Sequence, residues 1–267
     1  MTGDRSVPGE QALPGGMGSG GLVVRVGATV RRPVRPHSAA VAAFLRHLES
    51  AGFGGAPRHL GHDEQGREML TFLEGDVALP PFPRWAAEED LLVSVGTLQR
   101  SLHDAARGFV APPGATWDRA NLPEVPPDAL VCHNDLCIEN VVVRDGRAAA
   151  FIDFDFAAPS DRLLDIAIAA RHWIPLRDPA DLDAGFRDVD QVSRFHAFCA
   201  AHGLDPEERR AVVAHAAAFL DRALVAMRVR AESGLDAYVR AWAAGYPAQN
   251  RRSRAWVDAN AEALAGG

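Results

Sequence analysis

The sequence predicts an α+β protein in two lobes, a small β-rich N-terminal part and a larger, mostly helical C-terminal part. Three observations carry this. Short β-branched runs and turn glycines occupy the first 75 residues, and helical periodicity dominates after about residue 161. Between them, residues 131–155, VCHNDLCIENVVVRDGRAAAFIDFD, place polar residues in loops between short apolar strands. The lobes are expected to meet near Gly75, giving parts 1–75 and 76–267.

Residues 1–14 are polar and rich in Pro and Gly, and read as loose. GGMGSGG, Gly15 to Gly21, then leads into LVVRVG and TVRRP. The Gly27–Ala28 junction between these runs predicts a hairpin. A glycine loop at its head can bring backbone N–H groups against phosphates, because no Cβ obstructs the approach. Gly15, Gly16 and Gly18 are the candidates; an unstructured glycine run is the alternative. Arg31 is either a guanidinium for phosphates or a surface arginine on an edge hairpin. Arg32 lies on the opposite face of the strand, so only one of the pair points into a cleft.

Val41, Phe44, Leu45 and Leu48 fall at i, i+3, i+4 and i+7 and predict a helix over 38–50, with Ser38 able to cap it and Gly52 just beyond its end. REMLTFLEG, residues 67–75, reads as a buried strand ending in a turn. Leu91, Leu92, Val95, Leu98 and Leu102 predict a helix over 86–105. His103 at its end is read as a buried, hydrogen-bonded histidine in preference to a ligand. After a Pro-rich loop come strands at Leu130–Cys132, Val141–Val143 and Ala148–Phe154, the last two joined by an Asp145–Gly146 turn. Helices are expected over 161–174, 191–202, 206–232, 235–243 and 250–264. The acidic stretch 177–191 either gathers around a cationic substrate or is a solvated loop.

Composition narrows the function classes. The net charge is −7 and every basic residue is arginine, with no lysine and no basic patch, which excludes nucleic acid as an expected partner. No run of about 18 apolar residues exists, so no membrane span is expected. The N-terminus has no apolar secretory core, and the three cysteines have neither a disulfide pattern nor zinc-site spacing, so free thiols and a cytoplasmic location are expected.

The central motif carries the chemistry. Phosphoryl transfer requires hard oxygen ligands for a magnesium ion and an acceptor that orients the attacking hydroxyl. Asn140 offers a carbonyl oxygen and Asp153 a carboxylate, while Asp135 suits the acceptor role, with His133 holding its loop. Aspartates and asparagines in loops are ordinarily turn formers. An aspartate inside Phe151-Ile152-Asp153-Phe154, however, is costly to bury unless a cation or donors meet it.

HNDLCIEN and FIDFDFA resemble the two signature motifs of the aminoglycoside phosphotransferase family, which is similar in fold to protein kinases and choline kinase. DRLLDIA resembles the family's following helix start. The resemblance implies a protein kinase-like fold, ATP and Mg²⁺ as cofactors, and a small hydroxylated molecule as phosphate acceptor. It implies Asp135 as catalytic base, Asn140 and Asp153 as magnesium ligands, and Asp165 as support for the catalytic loop. It aligns GGMGSGG with the phosphate loop and VRRP with the strand carrying the phosphate-binding base. LTFLEG becomes the adenine hinge, where Thr71 and Leu73 offer backbone groups. Two departures stand out: Arg31 aligns with the family's lysine, and Val41 stands where its partner glutamate is expected. Asp155, where kinases have glycine, either adds a carboxylate near the metal or forms a cap. The competing reading is a non-catalytic nucleotide-binding regulator. A protein-directed kinase is disfavoured, because the interval from Asp153 to Asp165 leaves little room for a peptide platform.

Overall fold

The structure is a computed structural model, and it describes residues 9–13, 22–119 and 122–266. The glycine candidates Gly15, Gly16 and Gly18 lie outside the described residues. The N-terminal part opens with strand β1 (Glu10–Ala12), followed by β2 (Val24–Val26) and β3 (Thr29–Arg32). Helix α1 (Ser38–Ser50) precedes β4 (His59–His62) and β5 (Glu68–Thr71). The strands form one antiparallel sheet in the order β1-β2-β3-β5-β4. Residues 10–12, expected to be loose, are therefore an edge strand. Pairing Glu10 with Val26 and Ala12 with Val24 satisfies their backbone, and Arg67 binds the Glu10 carboxylate at 2.8 Å.

Helix α1 has the expected limits, and its stripe of Val41, Phe44, Leu45 and Leu48 is buried. Its start differs in detail: Ser38 is the first helical residue, and its hydroxyl accepts from the Arg35 N–H instead of capping the helix. Gly75 marks a close crossing between the two parts. Its φ is +145°, a Cβ there would lie 2.7 Å from the Val143 carbonyl oxygen, and the next residue, Asp76, exchanges backbone hydrogen bonds with Val143.

The remainder is built on helix α2 (Glu89–Ala106), which packs against the short strands and the later helices. Strand β6 (Leu130–Cys132) pairs with β9 (Ala158–Ser160), and β7 (Val141–Arg144) forms a hairpin with β8 (Arg147–Phe151). Asp145 and Gly146 at the hairpin turn have φ of +51° and +72°, as the Asp-Gly pair predicts. Then follow α3 (Arg162–Trp173), α4 (Gln191–His202), α5 (Pro206–Glu232), α6 (Asp236–Ala243), α7 (Tyr246–Ala259) and α8 (Ala261–Ala265). One apolar core runs from Val41 and Leu70 through Phe154, Trp173 and Phe198 to Val212 and Leu264. Each large side chain fully buried there contributes about 1.5–3 kcal/mol relative to exposure. No helix among the described residues is long and apolar enough to cross a membrane.

Candidate active site

Asp135, Asn140 and Asp153 stand on two segments stitched to one another. The first is the loop after β6, which ends in a short turn, Ile138–Asn140, before β7. The second follows β8. That strand stops at Phe151, earlier than expected, because Asp153 takes left-handed backbone angles (φ 60°, ψ 65°) and opens a tight turn at Phe154–Phe156. The Ile152 N–H donates to the Asn140 carbonyl at 2.9 Å, and the buried His133 ring donates through Nε2 to the Ile152 carbonyl at 2.9 Å. His133 also packs on Phe154, with ring centroids 4.5 Å apart. His133 thus bridges the loop after β6 and the segment after β8, and the two metal-ligand candidates are joined by one backbone hydrogen bond through Ile152.

Within the loop, the Asn140 amide donates to the Asp135 carbonyl at 2.7 Å and to its carboxylate at 3.2 Å. This use of the amide nitrogen leaves the Asn140 side-chain oxygen for a cation. Burial, then the neighbouring Asp153 charge, push the Asp135 carboxyl up to about 7. Burial and Asp155 raise Asp153 as well, with Arg32 opposing. Hard oxygen donors that repel one another's charge fit a divalent cation, whose binding removes that repulsion.

Beneath the loop lies a buried post that the sequence only half reveals. Asp165, in the first turn of α3, is fully buried and accepts from the Asn134 N–H at 2.6 Å, from His103 Nε2 at 2.7 Å and from Gln99 at 2.8 Å. Burial alone raises a carboxyl, but the hydrogen bonds and charge of His103, then Gln99, outweigh it and hold Asp165 below its ordinary value. Asn134 has φ +61° and donates to the carbonyls of Cys132, Phe156 and Ala158 at 3.1–3.2 Å, so one side chain ties together the catalytic loop, β9 and the Asp153 turn. Asn134→Gly keeps the backbone freedom and removes these bonds. It is expected to cost about 1–3 kcal/mol, measured by urea unfolding, and to lower turnover.

Of the adjacent arginines, Arg32 is the one that faces Asp153 and Asp155. Arg31 turns toward Thr29, at 2.5 Å, and Asp63, at 3.6 Å. Arg32 is buried, with Nε 2.6 Å from Glu68, Nη1 2.6 Å from Asp155 and 3.9 Å from Asp153. Its partner acid comes from β5, at the register Arg32↔Glu68, and not from α1. The signal was available. Val30 packs on the core, and strand alternation puts Arg32 on its face, as it puts Glu68 on the face of Leu70. Asp155 also takes Arg35 Nε at 3.1 Å and so serves as counter-ion to two arginines. At the expected hinge, the Thr71 N–H is already bound to the Arg58 carbonyl, whereas Leu73 makes no hydrogen bond among the described residues.

Beside Asp135 lies a cleft of about 40 Å³ lined also by Asn134, Asp118, Leu122, Phe156 and Phe219. The acidic stretch offers it little. Asp181 binds Arg252 in bidentate fashion at 2.6 and 2.8 Å, Asp183 faces Arg177 at 3.7 Å, Asp188 faces Arg84 at 3.9 Å, and Asp178 and Asp190 cap helical turns. The three cysteines are free.

Residues 105–202 match the family model described as APH, phosphotransferase enzyme family. Over 157 residues the chain is 36% identical to a trifolitoxin immunity protein of Rhizobium leguminosarum bv. trifolii, a match spanning 57% of each chain. A choline/ethanolamine kinase family protein of Mesorhizobium loti has the same fold, with a TM-score of 0.63 and 18% identity over 97% of this chain and 92% of that one. An amicoumacin kinase, hAmiN, in complex with AMP-PNP, Ca²⁺ and Ami superposes with a TM-score of 0.63 and 12% identity, covering 94% of this chain and 88% of that one. The fold is the protein kinase-like one of these phosphotransferases, with a small β-rich lobe and a larger, mostly helical lobe.

Proposed function

We propose that this chain is an ATP- and Mg²⁺-dependent phosphotransferase that moves the γ-phosphate of ATP to a hydroxyl of a small molecule. The observation that carries this reading is the stitching of Asp135, Asn140 and Asp153 into one backbone-supported cluster with Arg32 at its edge. Asp135 accepts the hydroxyl proton and aims the oxygen in line with the phosphate. The Asn140 side-chain oxygen and the Asp153 carboxylate are the ligands for Mg²⁺, which when bound neutralises charge on the phosphate oxygens. Arg32 Nη2 has no partner among the described residues and is the donor proposed for a phosphate, in the place first assigned to Arg31. Gly15, Gly16 and Gly18 remain the proposed phosphate loop and Leu73 the proposed adenine contact. Residues 1–75 are taken as the nucleotide-holding part and 76–267 as the catalytic and acceptor part.

The acceptor is read as an aminoglycoside-, amino alcohol- or sugar-like molecule with an apolar surface beside its hydroxyl. Leu122, Phe156 and Phe219 supply the matching wall, and the aspartates that would hold a polycation are engaged elsewhere. The relative named as an immunity protein suits phosphorylation of a toxic compound. Free thiols and use of ATP suit the cytoplasm.

The test is ATP consumption with Mg²⁺ across hydroxylated amines, aminoglycosides, sugars and apolar antibiotics, wild type against Asp153→Ala. One acceptor is expected to raise turnover, and Asp153→Ala to abolish it. Nucleotide binding without turnover of any acceptor would favour the regulator reading, and turnover that survives Asp153→Ala would remove Asp153 from the proposed metal site.

A further inference from the structure

Behind the catalytic loop, on the far side of the Asp165 post, lies a cavity of about 170 Å³ between α2, α3, α4 and the first turn of α5. Arg100, His103, Asp104, Arg107, Arg162 and His202 line most of it. Two features set it apart from an ordinary surface hollow. First, His202 is 4% exposed and neither of its ring nitrogens has a hydrogen-bond partner; His103 is 1% exposed and its Nδ1 has none. A buried imidazole that leaves an N–H unpaired is destabilising until a ligand or water meets it. Second, Arg100 makes no hydrogen bond or ion pair among the described residues, although it lies on the exposed face of α2 beside the same cavity. Arg107 is held only by an exposed contact to Asp104 at 3.4 Å, and Arg162 by Glu208. The wall therefore carries three guanidinium groups against two carboxylates, with donor-capable histidines at its base. Burial, then His103, hold the His202 ring well below its ordinary value, with Asp165 opposing.

We propose that this cavity is a binding site for a small tetrahedral oxyanion, a phosphate group, held by Arg100 and Arg107 with His202 and His103 completing its hydrogen bonds. Guanidinium forks and imidazole N–H groups are donors matched to phosphate oxygens. A divalent cation is the wrong occupant, because the three arginines repel it. Arg32, proposed above as the phosphate donor of the nucleotide site, is not among the residues that line this cavity. A phosphate on His103 Nδ1 bears on the ring that supports Asp165 and, through it, the Asn134 N–H.

The experiment is calorimetric titration of the full chain with inorganic phosphate at constant ionic strength, without metal and then with saturating AMP-PNP and Mg²⁺. Saturable one-to-one binding is expected to survive the nucleotide analogue. Arg100→Gln, on an exposed helix face, is expected to weaken it about 10-fold or more. Glu208→Gln keeps the capping-box geometry with Asp205 and releases Arg162, so it is expected to tighten binding several-fold. Glycerol 3-phosphate run in parallel separates the sources: tighter binding than inorganic phosphate identifies a phosphomonoester, and weaker binding identifies free phosphate. Absence of saturable binding at millimolar phosphate, displacement by AMP-PNP, or unchanged affinity in Arg100→Gln would overturn the proposal.

Discussion

Asp135→Asn is expected to lower kcat by about 10²–10⁴-fold while the metal-free protein becomes more stable above neutral pH. Asparagine keeps the shape and can still accept from the Asn140 amide, so the loop is retained. It cannot take the hydroxyl proton. The stability gain follows from linkage. The Asp135 carboxyl titrates at about 7 in the fold and near 3.9 in an unfolded chain. Between those values the folded state binds more protons than the unfolded state, so stability contributed by this group is present at low pH and declines as pH rises toward 7. The asparagine variant lacks that decline. Thermal melts of both proteins from pH 5 to pH 8.5, without metal, are expected to diverge up to about pH 7 and to keep a constant gap above it, with the variant higher. Parallel curves would mean that Asp135 ionises freely in the fold. Unchanged kcat would remove it from the reaction.

Arg32→Ala is expected to cost about 3–5 kcal/mol, and Arg31→Ala less than about 1 kcal/mol, although the two residues are adjacent. Removing Arg32 strands Glu68, which is fully buried and whose Oε1 already lacks a hydrogen bond. It also removes the cation that Asp155 and Asp153 share. Arg31 leaves behind only Asp63, which retains its 2.8 Å bond from Arg67. Arg32→Ala should also weaken nucleotide binding, and Arg32→Lys should recover only part of both losses, because an ammonium cannot bridge Glu68 and Asp155 as a guanidinium does. Denaturant unfolding and nucleotide titration of the three variants decide this. Equal stability losses from Arg31→Ala and Arg32→Ala would contradict the strand-face assignment.

Local pattern was sufficient for much of the chain. The stripe in 38–50, the Asp-Gly hairpin at 145–146 and the glycine stop at Gly203 each produced the element expected of them, because the signal lies within one or two turns of backbone. The spacing of His133, Asp135, Asn140 and Asp153 likewise pointed to the cluster, since the loop and the hairpin between them leave few ways to arrange so short a segment. Strands β1, β4 and β9 were not foreseen. Each has only 3 or 4 residues and carries little pattern of its own; β9 pairs with β6 across 26 to 30 residues and even contains Pro159, whereas β4 is one arm of a hairpin with β5.

The sequence by itself determined the class of fold, most of the helices (the one expected over 250–264 is two, Tyr246–Ala259 and Ala261–Ala265) and the oxygen donors that suit the proposed chemistry. These follow from local periodicity and from the oxygen donors that a cation and a hydroxyl require. Tertiary structure alone decided which arginine faces the carboxylates, which acid balances it, and which of the aspartates in 177–191 remain available. It also decided that His103 and Gln99, on α2, hold the aspartate beneath Asn134. The physical reason is common to these cases. A charge is assigned its partner by strand register and helix packing across 36 to 123 residues of chain, and a side chain's type states what it can bind without stating what the fold will bring to it.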